Sequence, residues 1–134
     1  MFVLTLDNEI VEINQEIVNW IGILSYLSNE ESDNEQNPIK IYIKSEDLNE
    51  HINFLTLFLH FKFIEVEKPI KQETWLIDLY PDTILNFYQK FDSTYLCSLL
   101  KSASYLNIPE IIEILSVIFA FKIREMANIN NGDG

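Results

Sequence analysis

Asp92–Ile108 reads DSTYLCSLLKSASYLNI, and its spacing anchors the reading of the whole chain. At helical spacing Tyr95, Leu96, Leu99, Leu100, Ala103 and Leu106 fall on one arc, while Tyr105 projects among Lys101, Ser98 and Thr94. That pattern predicts an amphipathic helix. A helix that buries its leucines and holds one tyrosine clear of them leaves a partly apolar, partly polar ring in water. Such a ring suits a contact with a protein partner; the plainer alternative is a half-exposed tyrosine with no role. Asp92 or Ser93 can cap this helix.

Working toward the N-terminus, Pro81 and Asp82 open a helix to Lys90, and Ser45 caps one that runs to about His60 with Leu48, Ile52, Leu55 and Leu59 at helical spacing. Phe61–Ile70 is β-branched and aromatic and reads as extended or irregular; the form of Trp75–Tyr80 is open. Ile39, Ile41 and Ile43 alternate as a short strand. Ser28–Asn37, SNEESDNEQN, carries four acids and no large apolar group, so it is expected to be a solvated loop. Gln15–Leu27 shows Ile17, Trp20, Ile21, Leu24 and Leu27 at helical spacing. Phe2–Leu6 and Ile10–Ile13 form a hairpin turning at Asp7-Asn8-Glu9. About three short strands and about five helices make a small α+β domain whose helices carry most of the core.

Toward the C-terminus, Pro109 suits the first turn of a last helix from Glu110 to about Met126, and polar Asn128–Gly134 is expected to fray. Ile111, Ile112, Ile114, Leu115, Val117, Ile118, Phe119, Phe121, Ile123 and Met126 spread over roughly two-thirds of the circumference. Only Glu113, Ser116, Ala120 and Arg124 form a plainly non-apolar strip. Packing against one domain needs about a third of a helix surface. Either this helix is central and wrapped by its own domain, or its surplus is a protein interface.

The 134 residues are enough for one domain with a real core, and 48% hydrophobic residues make it compact. A formal net charge of −12 opposes binding to nucleic acid or to an anionic membrane. No disulfide can form, because Cys97 is the only cysteine; its place among leucines favours a small packed side chain. With no signal-peptide pattern and no transmembrane-length run, the placement expected is cytoplasmic or nuclear.

Catalytic chemistry is thinly represented. His51 and His60 are nine residues apart and cannot share a metal at the i, i+4 spacing. The glycines at 22, 132 and 134 make no phosphate-cradling loop. Glu110 and Glu113 are ordinary first-turn acids, and Ser93, Ser98, Ser102 and Ser104 lack a nucleophile elbow or a histidine near in sequence. The expectation is a non-enzyme with no catalytic or metal residues and no cofactor.

Phe91-Asp92, Tyr95-Leu96 and Ala103-Ser104-Tyr105-Leu106-Asn107-Ile108-Pro109, continued by Ile111-Ile112-Glu113, resemble V-D-Q-x-x-L…A-A-N-Y-L-[DN]-I-K followed by L-L-D. That pattern is characteristic of the S-phase-kinase-associated, F-box-binding family, the cullin adaptors of SCF ubiquitin ligases. The order hairpin, helix, acidic loop, strand and a helix ending near His60-Phe61-Lys62 is also similar, and the family shows H-H-K there. Elongin C is similar in fold and shares the A-N-[FY]-L core.

The resemblance implies a BTB/POZ-like core over 1–91 with an acidic loop at about 28–37. The helices of 92–127 are expected to complete the core and offer a partner surface, and polar 128–134 to be a flexible tail. The resemblance further implies a non-enzymatic adaptor bridging a cullin N-terminal domain, met by Ser104 and Tyr105, to an F-box-like receptor. Ser104 stands where the family has asparagine. Ile123-Arg124 and Asn128-Ile129-Asn130-Asn131 echo I-R…N-I-x-N without the segment that precedes it there. A reduced F-box grip resting on Ile111, Ile112, Leu115, Ile118 and Phe119 is therefore expected. The alternatives are a self-associating BTB-like structural protein, with the last helix closing a homodimer, and a cullin-binding decoy.

Overall fold

The computed structural model describes residues 1–27, 36–59 and 79–132, with side chains as far as Met126. Expectations for Phe61–Ile70, Trp75, His60 and most of the acidic loop lie outside these residues. The fold is mixed α+β and mostly helical. Strands β1 (Phe2–Leu4), β2 (Ile10–Glu12) and β3 (Ile39–Lys40) form one sheet in the order β2-β1-β3, with β2 antiparallel and β3 parallel to β1. The helices are α1 (Gln15–Val18), α2 (Gly22–Leu27), α3 (Ser45–Phe58), α4 (Asp82–Gln89), α5 (Ser93–Leu106) and α6 (Pro109–Gly132). Among the described residues no helix is long and apolar enough to cross a membrane.

The α5 helix sits at the centre, packed against α6, α3 and α2. Its arc behaves as its spacing demands: Leu96, Leu99, Ala103 and Leu106 are buried, and Tyr95 and Leu100 are half-buried against the core. Asp92 caps it, accepting the Tyr95 N–H at 2.8 Å. At the other end Asn107 takes a left-handed conformation, φ 58°, and the amides of Asn107 and Ile108 return to the carbonyls of Ser104 and Ala103. This is a Schellman closure, which asparagine tolerates better than other side-chain-bearing residues. Cys97 is exposed, contrary to expectation. It shares the outer face with Thr94 and Lys101, three and four residues away, and not the leucine arc.

The segment expected as one helix over Gln15–Leu27 is broken in two. Trp20 and Ile21 donate to Ile17 and Val18 in tight turns, and the Gly22 amide leaves the helix to donate to the Asn107 carbonyl at 2.8 Å. A Cβ on Gly22 would lie 2.5 Å from Asn107 Nδ2 and 2.7 Å from its carbonyl oxygen. Only a glycine lets the two helix ends approach so closely. Gly22→Ala is expected to cost about 1–3 kcal/mol, read as a lower urea midpoint at unchanged m-value.

The start of α3 is held from a distance. Lys44 occupies the cap position without a side-chain bond, and the expected cap, Ser45, is the first helical residue. The Ser45 amide and hydroxyl donate instead to the two carboxylate oxygens of Asp7, at 2.9 and 2.6 Å. Asp7 also accepts the Thr5 hydroxyl at 2.6 Å. Together these donors, the Ser45 hydroxyl foremost, hold the Asp7 carboxyl well below the usual carboxylate range. The hairpin turn, with Asn8 at φ 63°, thus caps a helix 38 residues later in the chain.

The last helix has most of its apolar surface covered by its own chain. Ile111 and Leu115 are fully buried, and Ile114, Val117, Ile118 and Phe121 nearly so; Ile112 and Phe119 are half-buried against the core. Among the described residues the broad exposed surplus is therefore absent. What remains open is a narrow stripe ending in Ile123 and Met126, 66% and 64% exposed. Sequence spacing measured the apolar width of α6 correctly but not how many neighbours cover it. The helix also runs to Gly132, past the expected end near Met126 and through the tail expected to fray.

Candidate functional site

Two side-chain rungs join α3 to α5. Asp47 Oδ2 accepts the Ser98 hydroxyl at 2.8 Å, and His51 Nε2 lies 2.7 Å from Ser102 Oγ. Asp47 and His51 are four residues apart on α3, and Ser98 and Ser102 four apart on α5, so each pair occupies one helix face. Sequence reading missed this ladder. Its only signal was that matched spacing in two segments 51 residues apart.

The Ser102–His51 pair has the residue types and the spacing of a nucleophile and base, but both side chains are buried between α3 and α5. The Ser102 hydroxyl also lies 3.0 Å from the Leu99 carbonyl, to which it donates when the imidazole Nε2–H donates to Oγ. His51 is 1% exposed, and burial lowers its pKa to about 4 despite the opposing pull of Asp47 and the Leu99 carbonyl. A neutral imidazole locked between helices is a strut. Among the described residues no group of His, Cys, Asp and Glu could hold a metal ion.

The outer edge of the ladder opens into a shallow groove of about 260 Å³ between β3's end and α5, lined by Leu6, Tyr42, Lys44, Asp47, Ser98, Lys101 and Tyr105. Tyr105 stands on the ladder face of α5, as its position relative to Lys101 and Ser98 predicts, and is 39% exposed. Its hydroxyl accepts the Tyr42 amide at 3.2 Å, which fixes the ring against the strand end. Leu6 and Tyr42, at 52% and 61%, stand open beside it. These neighbours come from elements remote in sequence and were not foreseen. Ser104 is exposed, but its hydroxyl returns to the Leu100 carbonyl at 2.9 Å, within its own helix.

The five residues of α6 expected to grip an F-box-like partner are split by the structure. Ile111 and Leu115 are interior and cannot meet a partner in this conformation. Ile118 is 6% exposed and lines a cleft of about 230 Å³ with Leu85, Leu96 and Phe121. Ile112 and Phe119 retain partial exposure on the outer side, in line with Ile123 and Met126. No family model and no curated protein matches this sequence.

Proposed function

We propose that this chain is a non-enzymatic adaptor that docks another protein through the Leu6–Tyr42–Tyr105 groove. By the resemblance of Tyr95–Glu113 to the F-box-binding cullin adaptors, that partner is a cullin N-terminal domain. The observation that carries the reading is the convergence of Tyr105, the residue matching the family's N-Y-L tyrosine, with two further open apolar side chains from the sheet side. Open aromatic rings held by a rigid scaffold are the usual anchors of protein interfaces. The resemblance also places a BTB/POZ-type core here, and the element order hairpin, helices, strand, helix supports that assignment.

A second reading draws on α6. With Ile111 and Leu115 interior, an F-box-like receptor would have only Ile112, Phe119, the exposed Ile123 and Met126, and the Ile118 cleft. That favours weak receptor recruitment beside retained cullin binding, the behaviour of a decoy. Pull-down with a cullin N-terminal domain tests the main proposal. Wild type should be retained, and Tyr105→Ala should weaken binding by about 2 kcal/mol or more, the loss typical of a central aromatic anchor. No retention of the wild type would refute the adaptor role. A stable dimer in sedimentation without cullin affinity would point to self-association instead.

A further inference from the structure

The groove's electrostatics oppose those of the chain. Against a net charge of −12, the charged side chains that stand open at the groove are lysines. Lys44 and Lys101 line it, both exposed, and Lys40 stands with Nζ 5.5 Å from the centre of the Tyr42 ring. Three of the nine basic residues thus gather at one place. Among the described residues none of the three has a carboxylate partner, whereas Lys90 lies 3.9 Å from Glu50. The carboxylate in the groove, Asp47, is 7% exposed and occupied by Ser98. In a chain this rich in acids, unpaired lysines around open aromatic rings are complementary to an acidic partner.

Backbone geometry narrows the form of that partner. The amides of Leu6, Ile41 and Tyr42 already donate to the Ile43 carbonyl, the Leu4 carbonyl and the Tyr105 hydroxyl. With those three donors taken, strand addition at the groove is disfavoured and recognition through side chains favoured, as when a helix lies in a groove. A nucleic acid or anionic membrane would spread its charge across the surrounding acidic surface, whereas a single helix confines its acids to the groove. We infer that the groove receives an amphipathic helix of a partner protein whose apolar ridge is flanked by glutamate or aspartate. This rests on the reading of the groove as a protein-docking surface and adds the chemistry of what docks there.

Two stapled helical peptides with one leucine ridge, flanked in one case by glutamates and in the other by lysines, provide the test. Each is titrated into the isotope-labelled full chain and followed by amide shifts. The glutamate peptide should move Tyr42, Lys101 and Tyr105 and bind at least about tenfold more tightly than the lysine peptide. The difference should vanish in the double variant Lys44→Glu, Lys101→Glu, with the thermal melt and the amide spectrum of the free variant read as the control for folding. Equal affinity for the two peptides, preference for the lysine peptide, or no shifts at the groove would overturn the inference. A cullin N-terminal domain is measured alongside. Cullin binding unaffected by the double variant sinks the charge argument and spares the adaptor role. Glutamate-peptide binding without cullin binding does the reverse.

Discussion

Leu115→Ala should remove about 2–5 kcal/mol of folding stability, the range for truncating a fully enclosed leucine. The side chain is inaccessible to solvent, on the helix that packs most extensively against α5, so its loss leaves a cavity that rigid neighbours fill only in part. Ile123→Ala, on the same helix but 66% exposed, should change stability by less than about 0.5 kcal/mol. Urea denaturation of the two variants reads the contrast directly. It separates the two roles that sequence left open for α6. An unchanged midpoint for Leu115→Ala would return this residue to the surface and revive the docking helix. A collapse confined to Leu115 places the helix inside and leaves the groove at Tyr105 as the stronger candidate for partner contact.

Acidification should destabilise the fold through His51. Its pKa falls from 6.5 to about 4 in the folded chain, chiefly because the imidazole is buried. Between those values the unfolded chain binds a proton that the folded chain refuses, so unfolding becomes more favourable as pH drops. The loss begins as pH falls through 6.5, grows to about 3 kcal/mol near pH 4, and levels off below. Asp7 acts outside this window. Its carboxyl is depressed from 3.8 by the Ser45 and Thr5 hydroxyls and the Ser45 amide, so its contribution is present above that value and is lost only at more acid pH. The measurement is unfolding free energy against pH for wild type and His51→Gln. The variant should lose the added slope between pH 6.5 and 4, whatever its absolute stability. Parallel slopes would mean that His51 is not held neutral and that the α3–α5 strut is built otherwise.

Many local regularities were legible, though not the break at Gly22 or the cap of α3. The leucine arc of α5 declared its buried face, Asp92 or Ser93 its cap and Pro109 the first turn of the last helix, because these signals depend on residues within one or two turns. The alternation of Ile39, Ile41 and Ile43 was equally plain, although β3 is only Ile39–Lys40. Tyr105 could be placed off the core from spacing alone. Its companions Leu6, Tyr42 and Lys44 could not, since nothing in a hairpin or a strand announces which helix will lie beside it.

Sequence by itself determined most of the helices and their apolar faces, the small sheet and the acidic character of the chain, all properties of neighbours along the backbone. Tertiary structure alone decided that α6 is enclosed, that Asp7 caps α3, that Gly22 breaks a helix against Asn107, and that His51 meets Ser102. Each of these depends on what arrives from a distant part of the chain. Periodicity states how wide an apolar face is, whereas only packing states how much of it is covered.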